Sequence, residues 1–403
     1  HRLLQQDLWK PLLNRSIMGL YPPGSTFKTS QALTYMTEGV ITPSTAFACH
    51  RGFYHRGLHV GCHSHSSPIA LVDAISTSCN AYFCWGLYYM MGNRRKYHSV
   101  QDAMTTWRDY MVSMGFGYKL GIDLPGEKRG MIPNAEYYDR NYRGSWNGLT
   151  IISISIGQGE VTLTPLQIAN LGATIANRGY YYAPHVVRKV SGEPLDTAYT
   201  RRHVTKASRR AYDYVVAGMR SSALKGTCKH LAHYDFEACG KTGTAQNRGH
   251  DHSVFMGFAP MNDPKIAICV YVENGGWGAD YGVPIGGLMM EQYLHGKLSP
   301  ASEAQAAEMQ KRRIGYGQRF ANQPAKGKKG SKAAAKAAAD SAAAAKKAAA
   351  LAAAKQKAEL KAKQQADLKA KQKGKKGAKD KNNEAQRGKG IVPITIENHQ
   401  GRR

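Results

Sequence analysis

The 403-residue chain has little acidic charge: 28 Asp and Glu stand against 56 Lys and Arg, and the formal net charge is +28. The imbalance is concentrated after residue 300, where 26 basic residues accompany 8 acidic ones. The total therefore says little about the first 300 residues. Because the basic segment is accompanied by no RNA-recognition aromatic motif, helix-turn-helix or zinc finger, nucleic acid is disfavoured as a partner.

Residues 326–389 are mostly alanine and lysine with some glutamine, and they include almost no branched or aromatic residues. Such a composition cannot build a core, although alanine and lysine favour helix. We therefore predict a globular domain over residues 1–300 and a basic, low-complexity tail over 301–403. The tail is expected to be solvated and partly helical. The alternative is electrostatic attachment to an anionic envelope polymer or to lipid headgroups.

No apolar run approaches the ~20 residues that cross a bilayer. A signal peptide is lacking too, and the chain opens on HRLLQQDLWK without a methionine. This opening resembles the interior of a domain, so we expect the chain to be a fragment that lacks its N-terminal part. The lack of an anchor here is then no argument against one in the parent protein.

The spacing of apolar residues predicts helices over residues 25–40 and 69–91, the second interrupted near its middle. Towards the C-terminal end, 240–245, 253–259 and 265–272 have the composition of strands, and the last two are joined by the turn-forming PMNDP. Helices first and strands later predict an α+β fold, with an antiparallel sheet beside a helical lobe.

The segment YPPGSTFK places Ser25 and Lys28 one helical turn apart. Residues i and i+3 share a helix face, so the lysine can approach the serine hydroxyl. A serine hydroxyl is a poor nucleophile until a base takes its proton, and a desolvated lysine amine can be that base. The four-residue pattern alone is common, and its ordinary interpretation is a serine N-cap followed by a solvated lysine.

Two further motifs accompany this one: Ser78-Cys79-Asn80, and Lys-Thr-Gly-Thr from Lys241 to Thr244. S-x-x-K, S-x-N and K-T-G in this order form the known signature of class A β-lactamases and penicillin-binding proteins. The chain resembles class B penicillin-binding proteins, and most of all their elongation-type members. The resemblance extends from residue 15 to about 298, and its matching stretches are YPPGSTFK, SCNAYF, GIDLPGE, SIGQGEVTLTPLQIAN and GKTGTAQ. It implies the serine β-lactamase and penicillin-binding-protein transpeptidase fold.

The resemblance also implies a peptidoglycan D,D-transpeptidase that cross-links stem peptides. Ser25 is then expected to attack the carbonyl between the last two D-alanines, with Lys28 as general base. Ser78 is expected to pass the proton to the departing D-alanine, while Asn80 orients Lys28 and holds the substrate amide. β-Lactams are expected to acylate the same serine.

The third motif is expected to bind the substrate. The resemblance implies that Lys241 supplies positive potential and that the hydroxyls of Thr242 and Thr244 bind the terminal carboxylate of the stem peptide. Gly243 allows the strand to approach the substrate backbone closely. The backbone N–H groups of Ser25 and Thr244 are expected to form the oxyanion hole.

The implied partners are peptidoglycan stem peptides, β-lactams, a membrane glycosyltransferase and scaffold proteins of the elongation complex. The implied location is the bacterial inner membrane, with the catalytic domain in the periplasm. No cofactor is expected for the chemistry.

The stretch CHRGFYHRGLHVGCHSH is dense in sulfur and imidazole ligands. We predict a structural zinc site with Cys49, Cys62, His65 and Cys79 as ligands. Zinc binding by some elongation-type relatives supports this only loosely. The alternatives are a Cys49–Cys62 disulfide, which an oxidising periplasm favours, or unrelated buried thiols.

Two other functions compete with the transpeptidase. A β-lactamase or β-lactam sensor uses the same nucleophile, but class A lactamases add a glutamate that activates water, and no segment between Asn80 and Lys241 is assigned to that role. A non-catalytic envelope scaffold is the second alternative; the intact motifs argue against it.

Overall fold

The computed structural model describes residues 10–247 and 249–314. The α-helices in this part of the chain are α1 (Arg15–Met18), α2 (Lys28–Thr37), α3 (Leu71–Ser76), α4 (Asn80–Gly92), α5 (Val100–Ser113), α6 (Ala135–Tyr142), α7 (Pro165–Ala176), α8 (Thr197–Thr200), α9 (Arg209–Lys225), α10 (Gly282–His295) and α11 (Pro300–Lys311). Short 3-10 helices cover Gly24–Phe27, Ile152–Ile156 and Lys229–Leu231. The strands are β1 (Ala46–Phe47), β2 (Gly52–His55), β3 (Leu58–Gly61), β4 (Ile69–Ala70), β5 (Tyr180–Tyr181), β6 (His203–Val204), β7 (Cys239–Ala245), β8 (His252–Ala259) and β9 (Ile266–Val272).

The main sheet has three antiparallel strands in the order β7-β8-β9. All eight residues of the central strand β8 are buried, so both of its faces are covered. Successive side chains of a strand point to opposite faces. Accordingly, Phe255 packs into one core with Val283 and Met290 of α10, whereas Val254 and Met256 belong to the larger core of the helical lobe. Three further antiparallel pairs, β1-β4, β2-β3 and β5-β6, lie outside this sheet.

Helix α2 is the centre of the helical lobe, since every residue from Lys28 to Tyr35 is buried. Its buried polar side chains form hydrogen bonds inside the core. The Gln31 side chain, for example, accepts a hydrogen bond of 2.9 Å from the indole N–H of Trp107. A helix surrounded on all sides holds its first turn rigidly, and that turn follows directly on Ser25.

The described structure confirms the α+β fold, and the predicted helices appear with shifted ends. The first begins as a 3-10 turn at Gly24 and ends at Thr37, because Gly39 adopts a left-handed φ of 68°. The second is divided into α3 and α4, as the sequence predicted. All three predicted strands form, as β7, β8 and β9.

Beyond the sheet, α10 is followed by α11, in which Ser302 is buried. Ser299 caps α11, and its backbone N–H donates 3.1 Å to Glu291 of α10. Ordered structure therefore continues past residue 300, and the division of the chain at that point stays a prediction. Most of the predicted tail, residues 315–403, lies outside the described residues. The predicted binding of an anionic polymer concerns this part of the chain and stays a prediction. Among the described helices, none has the length and apolar character needed to cross a membrane.

Candidate active site

Ser25 lies in the 3-10 turn Gly24–Phe27, directly before helix α2. Gly24 has a φ of 55°, a backbone conformation that residues other than glycine rarely adopt. Its N–H donates 3.0 Å to the carbonyl of Gly157, and its Cα faces the carbonyl of Thr244 on β7. The turn is therefore held between the loop at residue 157 and the sheet, which explains the glycine in YPPGSTFK.

Lys28 is fully buried, and its Nζ is surrounded by the second motif. It lies 2.7 Å from the carbonyl oxygen of Ser78, 3.2 Å from the Ser78 Oγ and 2.5 Å from the Asn80 Oδ1. Burial lowers the pKa of Lys28 to about 8, although negative charge on the neighbouring cysteines acts in the opposite direction. A substantial fraction of the amine is therefore neutral near physiological pH, as a general base requires.

Ser78 occupies the break between α3 and α4 and has a positive φ of 62°. Such backbone strain in a residue other than glycine is concentrated at functional sites. Beside it, the Asn80 amide bridges two elements: its Oδ1 accepts from Lys28, and its Nδ2 donates 2.7 Å to the carbonyl of Gly61. Ser78 and Asn80 are thus both oriented towards Lys28 by the fold.

Strand β7 carries the third motif. Lys241 is fully buried, and burial together with the positive charge of Lys28 lowers its pKa well below the ordinary value for lysine. Thr242 donates 2.7 Å from its Oγ1 to the hydroxyl oxygen of Thr227. A Cβ at Gly243 would press on the carbonyl of Pro23, so this glycine allows β7 to approach the Ser25 turn.

The three motifs meet at a cleft of about 690 Å³. Five of the eight predicted catalytic and substrate-binding residues line it: Ser25, Ser78, Asn80, Thr242 and Thr244. Lys28 and Lys241 are fully buried, and Gly243 allows strand β7 to approach the Ser25 turn closely. The structure thus brings together all the residues that were predicted from widely separated motifs.

The cleft also contains residues that the sequence analysis did not name. Gln158 lines it and donates 3.4 Å from Nε2 to the carbonyl of Thr244. Thr227 lines it beside Thr242, and its N–H donates 3.1 Å to the carbonyl of Ser76. Trp277 lies at the cleft with 67% of its surface exposed. Gln158 belongs to the quoted stretch SIGQGEV and could have been identified there; Thr227 and Trp277 lie in no recognisable motif.

Cys49, Cys62, His65 and Cys79 converge behind the second motif. Their ligand atoms all lie within 4.8 Å of one another. Cys62 Sγ is 3.5 Å from His65 Nε2, and it accepts the N–H of Asn80 at 3.2 Å. Cys79 caps helix α4, accepting the N–H of Tyr82 at 3.4 Å. All seven cysteines, which lie within the described part of the chain, are free thiols, so the structure does not contain the alternative Cys49–Cys62 disulfide.

The cluster favours one thiolate. A hydrogen bond from Cys79 lowers the pKa of Cys62 to about 2, and the contacts with His63, Asn80 and His65 act in the same direction. The pKa of Cys79 is raised by the same interaction and by burial. A sulfur that is ionised at neutral pH and lies beside an imidazole is the donor chemistry that suits zinc.

Replacing Gly157 with alanine is expected to destabilise the domain by about 2–4 kcal/mol. Gly157 has a φ of 71°, and a Cβ there would collide with the Gly24 carbonyl and the Phe27 side chain. Gly39→Ala is the matched control, because φ is 68° and the surrounding space is open; it is expected to cost only about 1 kcal/mol. Urea unfolding measures both. Equal costs would contradict the role of Gly157 in supporting the nucleophile turn.

Comparison with known proteins shows that the penicillin-binding protein transpeptidase domain family matches residues 3–291. The chain belongs to this family. The peptidoglycan D,D-transpeptidase MrdA of Acinetobacter baumannii is 33% identical over 306 residues, which are 68% of this chain and 43% of that protein. MrdA of Haemophilus influenzae is 29% identical over 344 residues, 77% of this chain and 50% of that protein. This transpeptidase-family chain therefore spans about half the length of the curated relatives it matches.

Solved structures agree with this assignment and confirm the predicted transpeptidase fold. Pseudomonas aeruginosa PBP2 in complex with WCK 5153 superposes with a TM-score of 0.62 at 30% identity, covering 74% of this chain and 68% of that one. A chain from a peptidoglycan synthase complex that coordinates polymerization and crosslinking gives 0.64 at 28% identity, covering 74% and 50%. PBP2 from Helicobacter pylori, in its complex with MreC, gives 0.57 at 26% identity, covering 74% and 54%.

Proposed function

We propose that the chain carries the catalytic domain of a peptidoglycan D,D-transpeptidase that forms a Ser25 acyl-enzyme during cell-wall synthesis. The observation that carries this proposal is the environment of Lys28: a fully buried lysine bonded to Ser78 and Asn80, one turn from a serine that lines the cleft. Membership of the transpeptidase family supports it.

In the acylation step, the Ser25 Oγ forms a bond to the carbonyl carbon of the penultimate D-alanine. Lys28, when neutral, accepts the hydroxyl proton. The N-terminal end of the turn and of helix α2 places backbone N–H groups and positive potential beneath the developing oxyanion. The N–H groups of Ser25 and Thr244 are the proposed donors, consistent with the cleft position of both residues.

Collapse of the tetrahedral intermediate breaks the bond to the terminal D-alanine, whose nitrogen must take up a proton. Ser78 Oγ is 3.2 Å from Lys28 Nζ and lines the cleft, so it can pass the proton from Lys28 to the leaving amine. The amine of a second stem peptide then attacks the acyl-enzyme carbonyl. Its proton passes through Ser78 and Lys28 to the Ser25 oxygen as the ester bond breaks, and the new amide bond is the cross-link between the two stem peptides.

The terminal carboxylate of the substrate requires a cationic, hydrogen-bonding site. Thr242 and Thr244 line the cleft, and Lys241 lies buried on the same strand. Thr227 positions the Thr242 hydroxyl through the 2.7 Å bond. We assign Lys241 the supply of positive potential and the two threonines the hydrogen bonds.

The expected partners follow from this function. The related structures include a chain from a peptidoglycan synthase complex and PBP2 in a complex with MreC. By this likeness, the parent protein would act in the periplasm from a membrane anchor, together with a glycosyltransferase and a scaffold protein of the elongation machinery. β-Lactams, which imitate the substrate amide, would acylate Ser25.

Two assays separate this function from that of a β-lactamase. A chromogenic cephalosporin is expected to give one stoichiometric burst and then negligible turnover, because no dedicated deacylating group is assigned. Incubation with stem pentapeptides is expected to release D-alanine and to form cross-linked dimers, detected by mass spectrometry. Rapid steady-state turnover of the cephalosporin without dimers would identify a lactamase instead.

We further propose that Cys49, Cys62, His65 and Cys79 hold a structural zinc ion. Tetrahedral Zn–S bonds of about 2.3 Å separate the ligands by roughly 3.8 Å, which is compatible with the mutual distances of the four ligand atoms. The His65 Nδ1 donates 2.7 Å to the carbonyl of Ser66, so the lone pair of Nε2 is left for a metal. When bound, the ion would hold Cys79, and thereby the neighbouring Ser78 and Asn80, in place.

Elemental analysis of the purified protein is expected to find about one zinc per chain, since the four donors form one closed site. Cys49→Ser should lose the metal and lower the melting temperature by at least about 5 °C, because bound metal contributes folding free energy. Cys269→Ser, outside the cluster, is the matched control and should retain both. A mass two units lower from a Cys49–Cys62 disulfide, without stoichiometric metal, would overturn the proposal.

A further inference from the structure

A second cavity, of about 260 Å³, lies between helix α5 and the first turn of α6. It shares no lining residue with the active-site cleft. Its lining includes three arginines that come from separate segments: Arg108 from α5, Arg129 from the loop before α6, and Arg140 from α6. Such a convergence of guanidinium groups around one concave space is typical of sites that bind oxyanions.

Arg108 carries an unsatisfied donor. Its Nε is buried, and no group in the described part of the chain accepts a hydrogen bond from it. A buried N–H of a charged group without an acceptor is unfavourable, because it has lost water and gained no partner. An anion in the cavity beside Arg108 would supply the missing acceptor, and the planar guanidinium can bind two oxygens at once.

The segments around this cavity are held together by hydrogen bonds. Gln167 is fully buried, and its Nε2 donates to the carbonyl oxygens of Gly115 at 3.2 Å, Tyr118 at 2.9 Å and Arg129 at 3.0 Å. One amide therefore joins the loop after α5 to the loop that carries Arg129. On the other side, Gln101 of α5 donates 3.0 Å to Asp139 of α6. The positions from which the arginines project are thus preorganised.

The charge of the cavity favours a phosphate over a carboxylate. Against the three arginines stands one lining carboxylate, Glu136, which is paired with Arg140 at 2.6 Å, so two positive charges remain. The first turn of α6, capped by Asn134, adds the positive end of the helix dipole. A phosphate monoester carries about −1.5 to −2 charges at neutral pH and offers three oxygens, whereas a carboxylate offers one charge and two oxygens.

Positive charge continues outside the cavity. A shallower depression shares Arg129 and is also lined by Lys119 and Lys128. Its one carboxylate, Glu127, is occupied by the backbone N–H groups of Leu120 and Gly121, at 2.6 and 3.0 Å. A phosphate in the cavity could therefore belong to a larger molecule that extends over this depression.

We propose that the cavity formed by Arg108, Arg129 and Arg140 is a phosphate-binding site separate from the active site. Isothermal titration calorimetry with inorganic phosphate and with glycerol 1-phosphate, at constant ionic strength, is expected to show one saturable site. Arg108→Met, which keeps most of the side-chain volume, should weaken binding by about tenfold or more. The exposed Arg95→Gln is the matched control for loss of a surface charge and should leave binding unchanged.

Sedimentation with vesicles that contain phosphatidic acid, whose headgroup is a phosphate monoester, separates a lipid headgroup from a free phosphate as the source. Vesicle binding that is lost in Arg108→Met indicates the headgroup, and binding of the soluble probes alone indicates a free phosphate or phosphate ester. If Arg108→Met does not fold, by circular dichroism, the double variant Arg129→Gln with Arg140→Gln replaces it. Binding of acetate as tight as that of phosphate, or the absence of any binding that depends on these arginines, would overturn the proposal.

Discussion

Replacing Ser25 with alanine is expected to abolish labelling by a fluorescent penicillin and formation of cross-linked dimers. The change removes the one atom that the proposed mechanism acylates, so the covalent adduct has no place to form. Loss of a serine nucleophile alone costs an acyl-transfer enzyme on the order of 10⁶ in turnover. Ser25 is half-buried in a turn that backbone contacts of Gly24 hold in place, so the fold should be retained.

Ser30→Ala is the matched control for this change. Ser30 lies on helix α2, which follows the turn of Ser25, and its hydroxyl donates 2.7 Å to the carbonyl of Phe27 without reaching the cleft. We expect this variant to be labelled at the rate of the unmodified protein. Peptide mapping of the labelled protein should place the adduct on Ser25. An adduct on another residue, or labelling that persists in Ser25→Ala, would contradict the mechanism.

The sequence allowed the elements that carry the motifs to be predicted, because those elements have strong local signals. β7 to β9 are short runs bounded by turn residues, and α2 has apolar residues at helical spacing. The nucleophile turn was predictable as a boundary from its prolines and glycine. Its 3-10 geometry was not, because it arises from the contacts of Gly24 with Gly157 and Thr244, which are remote in sequence.

Residues that act through tertiary contacts could not be found in the same way. Thr227 follows helix α9 in a segment without a motif, and only the folded chain places it 2.7 Å from Thr242. The strained φ of Ser78 has no signature either, since serine does not favour it. The four proposed metal ligands were predicted by their chemical type, and their convergence depends on how hairpin β2-β3 and the segment after it fold against α4.

Replacing Lys28 with methionine is expected to slow acylation by about 10²–10⁴-fold, the usual contribution of a general base. Lys28→Arg is the decisive companion variant. It preserves a positive charge, but a guanidinium stays protonated at any accessible pH and cannot take the proton of Ser25. We therefore expect both variants to be slow when fluorescent-penicillin labelling is followed by stopped flow. Rescue by arginine would show that Lys28 acts through its charge rather than as a base.

The pH dependence of acylation tests the same role with Lys28 in place. Burial lowers the pKa of Lys28 to about 8, so the neutral fraction of the amine rises with pH up to and through that value. Between pH 6 and pH 8 this fraction increases by about 50-fold, and in the Lys241→Arg variant, whose second lysine position stays charged, the labelling rate should increase in proportion. A flat profile of the Lys241→Arg variant over this range would exclude Lys28 as the proton acceptor in the rate-limiting step.

Lys241 affects the profile with the opposite sign, which allows the two lysines to be distinguished. Its pKa is also lowered by burial, but its proposed role requires the protonated form, because only the ammonium attracts the substrate carboxylate. Deprotonation of Lys241 should therefore decrease the rate as pH rises. Lys241→Arg, which stays charged, should remove that decrease and leave the rise that belongs to Lys28. If Lys241→Arg removes the rise instead, the roles of the two lysines are reversed and the proposed acylation step is wrong.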